Sequence, residues 1–503
     1  MSIEFRASKS GLTTCSVNGF SVHSNYNPEN EAKKFVDNIQ ADFSPKNIVI
    51  TGPCLHYLST FLKIKFPNSK IIAIQYSNKF NDYNQHWDKV FFVNETTNTV
   101  DFQEELFNFF GEEEIFQSLF LSWKPSEIPF QKESTITWNS IKEAINKAKS
   151  VVGTISYFNK TWFKNSVHFF LRCKNFYSIS NINVPILVTA SGPSLKSQLE
   201  FIKNNQNYFF ILALSSSLTV LLENSIIPDA VLTTDGGYYA KRHLKILETN
   251  INYKKIPIIA PPEAKISSKI LENNIVIPLD YGDGIFTDFI TLSNIKSLKG
   301  IRNGTVSGTS AELALSLTKE NIYFAGLDLA SSKGFSHTQN NILELDSSIT
   351  DNKISSKENR ITPSTFINQS LEIYRNWFAT RNQNFYKRIF RLTSTEDNLI
   401  KIPNLEDIEN SKILFSNKKS YNLFKIDYEF EIEKLKSFFI SEKMKIEKED
   451  IRIFEWFKIV NYTSYIQFSR AHEETKYNLY TELKQMSLKL IDDVLQSIDD
   501  YVL

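Results

Sequence analysis

The middle of this chain contains the stretch Pro185-Ile-Leu-Val-Thr-Ala-Ser-Gly-Pro-Ser-Leu195. Its apolar run, 186–188, has no polar alternation, which predicts a short buried strand. Gly192 permits a sharp turn beside a ligand, and Ser194 is a typical cap for a helix that begins at Leu195. The start of such a helix presents unpaired N–H groups that suit a phosphate. The same residues also fit a plain strand–turn–helix that binds nothing.

The length and composition of the chain narrow its class. Its 503 residues predict two to four domains. Lys and Arg total 57 against 56 Asp and Glu, which argues against a general nucleic-acid-binding protein. Three scattered cysteines without a CxxC pair indicate a reducing compartment and no structural zinc. We see neither a signal peptide nor an apolar run of membrane-spanning length, so we expect a soluble cytoplasmic protein that does not bind membranes.

The N-terminal part carries a strand–helix–strand pattern. A strand within Asn47–Cys54 ends at Gly52, a helix covers 55–65, and a second strand covers 71–75. This pattern resembles the opening of a Rossmann domain that binds a nucleotide or S-adenosylmethionine. The fingerprint has one glycine instead of three, and Gln75 stands where an acidic residue holds the ribose. We therefore predict a Rossmann-like scaffold without a cofactor, and a ligand-binding domain remains the alternative.

The remaining patterns divide the chain further. Apolar residues at helical spacing predict a helical connector, and the following part alternates strands and helices in the manner of a parallel α/β sheet. The last hundred residues are charged and helical in pattern. The predicted domains are therefore a Rossmann-like domain over 1–130, a connector over 131–180, an α/β domain over 181–395 and a helical domain over 396–503.

Polar side chains gather at the predicted carboxyl ends of the central strands. They are Ser191, Ser194, Ser216, Asp235, Ser307, Asp328 and His337. Ligands of open α/β sheets bind at that edge, and two turns rich in small hydroxyls, at 191–194 and 304–310, suit a phosphate. Each residue also has an ordinary structural explanation as a helix cap or turn residue. No Walker, HExxH or GxSxG motif is present, which disfavours P-loop hydrolysis, zinc proteolysis and a lipase-type triad.

Several motifs, in this order and spacing, resemble a known family. They are Ser191-Gly-Pro-Ser-Leu195, Pro228-Asp-Ala-Val-Leu-Thr-Thr-Asp235 and Gly326-Leu-Asp-Leu-Ala330 with His337. Together they resemble the central domain of the motility accessory factors, which are flagellin glycosyltransferases that add nonulosonic acids. His23–Ala32 and Trp162-Phe-Lys-Asn165 resemble flanking parts of the same family. The central domain is shared with the archaeal 6-hydroxymethylpterin diphosphokinases, and its fold is similar to that of the bacterial sialyltransferases.

The resemblance implies a donor site and a reaction. It implies transfer of a pseudaminic or legionaminic type sugar from its CMP derivative to Ser or Thr of flagellin, with no required cofactor. The predicted donor-binding residues are Ser191, Gly192, Pro193, Ser194, Ser216, Thr305, Ser307 and Gly308. Hydroxyl and amide groups near 194, 305 and 307 are expected to stabilise the single phosphate of CMP without a metal.

The predicted base is His337, because an ordinary histidine titrates near neutral pH. Asp235 and Asp328 are the alternative catalytic residues. A second possibility for the whole protein is a pterin-type diphosphokinase that uses ATP and Mg²⁺, with Asp235 as a ligand of the ion. A third is a non-catalytic, flagellin-binding assembly factor that has kept the fold.

Overall fold

A computed structural model describes residues 2–330, 337–338, 341–354, 356, 369–393, 401–415, 417–427 and 432–502. The chain divides into two compact units. Unit 1 comprises Met1–Asn159 and Lys445–Leu490, and unit 2 comprises Lys160–Met444 and Ile491–Leu503. The domain boundaries at 130, 180 and 395 stay predictions. Among the described residues, no helix combines the length and the apolar character that a membrane span requires.

Unit 1 begins with a small antiparallel sheet, followed by a parallel one. The elements in chain order are β1 (Ile3–Ala7), β2 (Thr13–Val17), β3 (Phe20–Ser21), α1 (Pro28–Asp37), β4 (Asn47–Thr51), α2 (Tyr57–Lys65), β5 (Lys70–Gln75), β6 (Lys89–Phe92), α3 (Thr99–Glu114), β7 (Ser118–Ser122) and α4 (Gln131–Arg172). The residues of α4 from Lys160 onward belong to unit 2. The parallel sheet has the order β6-β5-β4-β7. It confirms the predicted strand–helix–strand unit, whose strands are buried because apolar residues fill both faces.

The ligand-binding edge of this first sheet is filled by protein. Gly52, at the carboxyl end of β4, has a left-handed φ of +61°, and a Cβ there would stand 2.3 Å from the Ser126 Oγ and 2.6 Å from the Tyr76 ring. The side chains of Tyr76 and Ser126 therefore occupy the space in front of the glycine. The absence of a cofactor from this domain stays a prediction.

Unit 2 is built on a parallel sheet with helices between its strands. Its elements before the chain crosses back over the sheet are β8 (Tyr177–Ser180), β9 (Ile186–Thr189), α5 (Leu195–Asn205), β10 (Phe210–Leu214), α6 (Leu218–Glu223), β11 (Ala230–Leu232), α7 (Ala240–His243), α8 (Lys245–Thr249), β12 (Ile258–Ala260), α9 (Ser268–Asn273), β13 (Val276–Asp280), α10 (Ile285–Leu292), β14 (Leu298–Lys299) and α11 (Val306–Leu317). The strands β9 to β13 are short, buried and apolar, as the sequence predicts for a sheet covered on both faces.

The rest of the chain returns to the sheet and then becomes helical. The elements are β15 (Ile322–Ala325), α12 (Ile342–Ser348), α13 (Gln369–Ala379), α14 (Gln383–Tyr386), β16 (Ile389–Leu392), β17 (Glu406–Ile408), β18 (Asn422–Lys425), α15 (Ile432–Glu447), α16 (Ile453–Arg470) and α17 (Glu473–Val502). The helices α15 to α17 confirm the helical C-terminal part. The strands β17 and β18 are not in the sequence-based prediction, and both pair with strands of unit 2.

The order of the large sheet defines a switch point. Its strands run β14-β13-β12-β11-β10-β9-β15-β16-β17, and all neighbours are parallel. The chain moves outward from β9 to β14 and then crosses back to place β15 on the other side of β9. The carboxyl ends of β9 and β15 therefore flank the crevice in which open α/β sheets bind their ligands.

A buried ion pair fastens β17 to this sheet. Arg391 on β16 is 1% exposed and makes two parallel hydrogen bonds to Asp407 on β17, at 2.7 and 3.0 Å. Its third guanidinium nitrogen donates to the carbonyl of Leu327, at 3.2 Å. Such a bidentate pair fixes geometry, and loss of one partner leaves a buried charge without compensation.

We expect Asp407→Asn to lower the free energy of unfolding by about 3 kcal/mol, because the Arg391 charge stays buried without its counter-ion. The matched control is Glu409→Gln, which breaks the exposed Lys412–Glu409 pair and should change stability by less than about 0.5 kcal/mol. Urea denaturation of both variants measures the difference. Equal midpoints for the two variants would contradict the assignment of a structural role to the buried pair.

Candidate functional site

A pocket of about 160 Å³ lies at the switch point between β9 and β15. Seven of the eleven site residues predicted from the sequence line it. They are Ser191, Gly192, Ser216, Thr305, Ser307, Asp328 and His337. The structure therefore brings together residues that are up to 146 positions apart in the sequence, as the clustering of polar residues at strand ends predicts.

One wall of the pocket is a turn clamped by a carboxylate. The Asp328 carboxylate accepts hydrogen bonds from the Ser194 backbone N–H, at 2.6 Å, and from the Ser194 hydroxyl. Gly192 lies so close to this carboxylate that a Cβ would stand 2.6 Å from its Oδ2 and 2.4 Å from the Gly326 carbonyl oxygen. The glycine is required because these two loops touch backbone to backbone.

The clamp changes the expected use of the first turn. The predicted side-chain cap by Ser194 is wrong, because its hydroxyl donates to Asp328 instead of accepting from the helix. The Ser194 amide, expected to be unpaired, is also taken by that carboxylate. A phosphate here would have to face a buried negative charge, so the start of α5 is poorly suited to an anion. Pro193 and Ser194 lie in this turn but do not line the pocket.

The loop that carries Asp328 is itself tightly constrained. Gly326 has a φ of +72°, and a Cβ there would stand 2.4 Å from the Ala190 carbonyl oxygen. Leu329, on the other side of the aspartate, also adopts a left-handed φ, of +48°, which is costly for a residue other than glycine. With the Leu327 carbonyl held by Arg391, the backbone around Asp328 has little freedom.

A second wall is the start of α11. Thr305 is its N-cap, and its hydroxyl oxygen accepts from the Ser307 backbone N–H, at 3.3 Å. Thr305, Val306 and Ser307 line the pocket, so the positive end of this twelve-residue helix faces it. Gly308 does not line the pocket. It allows close packing, because a Cβ there would be 3.2 Å from the Trp377 ring.

The third side of the pocket carries titratable groups. His337 lines it, and the next residue, Thr338, anchors the segment by donating its backbone N–H to the Ser191 carbonyl, at 2.7 Å. Tyr374, which is not among the site residues predicted from the sequence, also lines the pocket. Burial and, to a smaller extent, the charge of Asp235 raise the pKa of the Tyr374 phenol. Asp235 therefore acts on this side of the pocket without lining it.

Asp235 has a structural task as well. Its carboxylate accepts from the Gly237 backbone N–H, at 2.7 Å, which is the ordinary turn contact expected of an aspartate before glycine. The buried Asn165 donates to the carbonyls of Gly236, at 3.1 Å, and Glu263, at 2.9 Å. Trp162 packs against Gly236 so closely that a Cβ there would stand 2.3 Å from its ring. Both residues of α4 thus hold the loop that presents Asp235.

Signals for the missed residues are weak in the sequence. Tyr374 lies within α13 and has no distinguishing neighbour in the sequence, and Thr338 and Asn341 follow His337 without any motif. Asn341 is fully buried and donates to the Ser216 carbonyl, at 2.7 Å. Within the described ranges, no three His, Cys, Asp or Glu side chains are arranged to hold a metal ion.

We expect Gly192→Ala to destabilise the protein by about 2 kcal/mol, because the added methyl group forces the Asp328 clamp apart. The control is Gly153→Ala in α4, where a Cβ meets nothing within 4 Å and the helix gains about 1 kcal/mol. Thermal melts of both variants measure the change. A Gly192→Ala protein as stable as the wild type would show that the two loops are not in contact.

A family model and a solved structure match this architecture. Residues 157–334 match the model of the 6-hydroxymethylpterin diphosphokinase MptE-like family. The structure of the MAf glycosyltransferase from Magnetospirillum magneticum AMB-1 is similar over 99% of this chain and 92% of that chain, with a TM-score of 0.58 and 11% identity. The likeness extends over both flanking parts as well as the central sheet.

A relative in Treponema pallidum (strain Nichols), an uncharacterized protein, is 27% identical over 293 residues. The match covers 58% of this chain and 63% of that protein, so the chain matches less than two thirds of its relative's length. The resemblance drawn from the motifs is thus supported at the level of the domain and the fold. The chain has the fold of a MAf (motility accessory factor) glycosyltransferase, with an MptE-like domain over residues 157–334.

Proposed function

We propose that the protein is a glycosyltransferase that moves a nonulosonic acid from a CMP-sugar to a Ser or Thr hydroxyl of flagellin. The observation that carries this proposal is the pairing, in one pocket, of the α11 N-terminus with His337. One side offers hydroxyl and amide groups to a departing phosphate, and the other offers a group that takes a proton. The fold shared with the MAf glycosyltransferase supports the same class of reaction.

In this proposal, the phosphate of the donor binds at the N-terminus of α11. Thr305 and Ser307 each bring a hydroxyl to the pocket, and the helix start adds its positive dipole end. The single phosphate of CMP gains negative charge as the bond to the sugar breaks. Donors already aimed at that position stabilise the leaving group without reorganisation. Ser216, which also lines the pocket, is the third hydroxyl available to the donor.

The proton of the acceptor goes to His337. As the acceptor O–H bond breaks, its proton passes to an imidazole nitrogen of His337, and the oxygen forms a bond to the anomeric carbon. The bond from that carbon to the CMP phosphate oxygen breaks, and CMP leaves with both bonding electrons. Asp328 is the less suitable base, because Ser194 engages both oxygens of its carboxylate. In this proposal, Asp328 shapes the wall, and Asp235 stabilises the proton on His337.

A pterin-type diphosphokinase is the second candidate, and the MptE-like match over 157–334 is the observation that favours it. That reaction needs Mg²⁺ bound to the phosphates of ATP. Asp235, beside the pocket, is the acidic side chain that would hold this ion. The large parts outside 157–334 are unnecessary for such a reaction, whereas the MAf-like fold includes them. Flagellin as the acceptor and the alternative of a non-catalytic assembly factor rest on the motif resemblance, whereas a cytoplasmic location is proposed from the three scattered cysteines without a CxxC pair.

We expect CMP to bind without Mg²⁺, and Ser307→Ala and Thr305→Val each to weaken binding about tenfold through loss of a hydrogen bond to a charged group. The control is Ser316→Ala, at the far end of α11, where the hydroxyl donates to Leu313. Isothermal titration of each variant with CMP, and with ATP and Mg²⁺, measures the effect. If the protein binds ATP with Mg²⁺ but does not bind CMP, the diphosphokinase is favoured. If it binds neither nucleotide, the assembly factor is favoured.

We expect His337→Ala to lower kcat for transfer from a CMP-nonulosonic acid at least a hundredfold, because the base is lost. Binding of CMP should stay within about twofold of the wild type, since in this proposal His337 acts on the acceptor proton and not on the phosphate of the donor. The matched control is the exposed His472→Ala. Release of CMP in the presence of flagellin measures turnover. Unchanged turnover in His337→Ala would exclude His337 as the base and direct attention to Asp235.

A further inference from the structure

An arginine ties the segment before α11 to side chains from two other strand ends. Arg302 lies between β14 and α11, three residues before the N-cap Thr305. Its Nε and Nη2 atoms donate to the two carboxylate oxygens of Asp283, at 3.0 and 2.8 Å. The Nη2 atom also donates to the Glu263 carboxylate, at 2.8 Å, and the guanidinium lies 4.3 Å from the centre of the Tyr281 ring. A bidentate hydrogen bond together with ring stacking leaves this guanidinium little freedom of orientation.

The partners of Arg302 fix the direction in which α11 begins. Glu263 lies in the loop after β12, and Asp283 lies in the turn after β13. Thr309 of α11 adds a contact to the same segment, because its hydroxyl donates to the Ile301 carbonyl, at 3.3 Å. The first turn of α11 is therefore held against the carboxyl edge of the sheet by side-chain contacts as well as by the chain itself.

Glu263 also joins this segment to the loop that presents Asp235. Its carboxylate accepts from Arg302, and its backbone carbonyl accepts from the Asn165 side-chain amide, at 2.9 Å. The same amide donates to the carbonyl of Gly236, at 3.1 Å. A Cβ on Gly236 would stand 2.9 Å from the Glu263 carbonyl oxygen, so the two loops are in contact. The start of α11 and the loop of Asp235 thus share a connection through Glu263.

We infer that Arg302 is a positioning residue that holds the start of α11 toward the phosphate of the donor; this inference rests on the proposed function. Arg302 is not among the described residues that line the pocket, whereas Thr305 and Ser307 are. It therefore acts on the phosphate through these two residues. Hydrogen bonds weaken steeply with poor distance and angle, and a displacement of about 1 Å costs up to about a hundredfold at a catalytic site.

Binding of CMP tests the inference. We expect Arg302→Met to weaken CMP binding about tenfold in isothermal titration, because the start of α11 loses its fixed direction. The matched control is Arg172→Met, since Arg172 also pairs with a glutamate, Glu272 at 3.0 Å, and lies 4.5 Å from the centre of the Tyr501 ring. Their exposed fractions are similar, 41% for Arg302 and 36% for Arg172. Arg172→Met should bind CMP as the wild type does, and an equal loss in both variants would overturn the inference.

Two further variants separate positioning from a simple loss of positive charge, which would also weaken binding of an anion. Arg302→Lys keeps the charge and removes the bidentate geometry. Positioning predicts a loss of at least about threefold in Arg302→Lys, whereas a charge effect alone predicts wild-type affinity. In the Ser307→Ala background, Arg302→Met should cost about threefold instead of tenfold, because one of the groups through which it acts is gone. Wild-type affinity in Arg302→Lys, or an undiminished effect in the Ser307→Ala background, would contradict the positioning role.

Hydrogen exchange followed by mass spectrometry reports on α11 without any ligand. The first turn contains the bond from the Thr309 N–H to the Thr305 carbonyl, at 3.2 Å. We expect faster exchange of the amides over 305–309 in Arg302→Met and in Asp283→Asn, and wild-type exchange there in Arg172→Met. If Arg302→Met does not fold, Asp283→Asn decides, because it weakens only the bidentate pair. A wild-type protein that does not bind CMP overturns the proposed function, whereas unchanged exchange over 305–309 overturns the positioning role of Arg302.

Discussion

The contact between Asp328 and Ser194 is the constraint on which the site of unit 2 depends. It joins the loop after β15 to the turn after β9, and these are the two strands at which the sheet reverses its order. The contact requires glycine at 192 and a left-handed glycine at 326, because either Cβ would collide with the opposite loop. The Arg391 guanidinium holds the same loop through a hydrogen bond to the Leu327 carbonyl. A charge-assisted bond inside the sheet edge thereby sets the shape of the pocket wall.

The contact between Asp328 and Ser194 also determines which of the two helix starts at the crevice favours binding of an anion. The two helix starts at the crevice look alike in sequence, since both follow a strand with small and hydroxyl residues. At α5 the carboxylate of Asp328 already satisfies the Ser194 amide and repels a second anion. At α11 the cap is the neutral hydroxyl of Thr305, and the helix start faces the pocket with its positive dipole end. Two chemically similar turns therefore have opposite electrostatic character because a distant residue in the sequence approaches one of them.

The sequence locates most of the central strands and seven of the residues that line the pocket, but not the division of roles among them. Apolar runs with turn residues at their ends locate β9, β10 and β15, and the rule that ligands bind at strand ends brings Ser191, Ser307 and Asp328 together. The pairing of Asp328 with Ser194 joins residues 134 positions apart, which no local pattern records. Strands β17 and β18 were missed because they are short and lack alternation, and tertiary pairing decides their conformation. Tyr374 lines the pocket only in the completed fold, because α13 brings it there from a distant part of the sequence.

The two parallel sheets of the chain show why topology alone does not make a binding site. Both place glycine at the carboxyl end of a central strand or in the turn after it. In unit 1 the space before Gly52 holds the Tyr76 ring and the Ser126 hydroxyl, whereas in unit 2 the crevice between β9 and β15 keeps an open volume lined by hydroxyl, imidazole and phenol groups. The side chains in front of Gly52 contribute packing and stability, whereas those around the second crevice leave room for a ligand. The functional hypothesis therefore belongs to unit 2, where the hydroxyl groups of the crevice, the start of α11 and the imidazole of His337 meet at the switch point of the sheet.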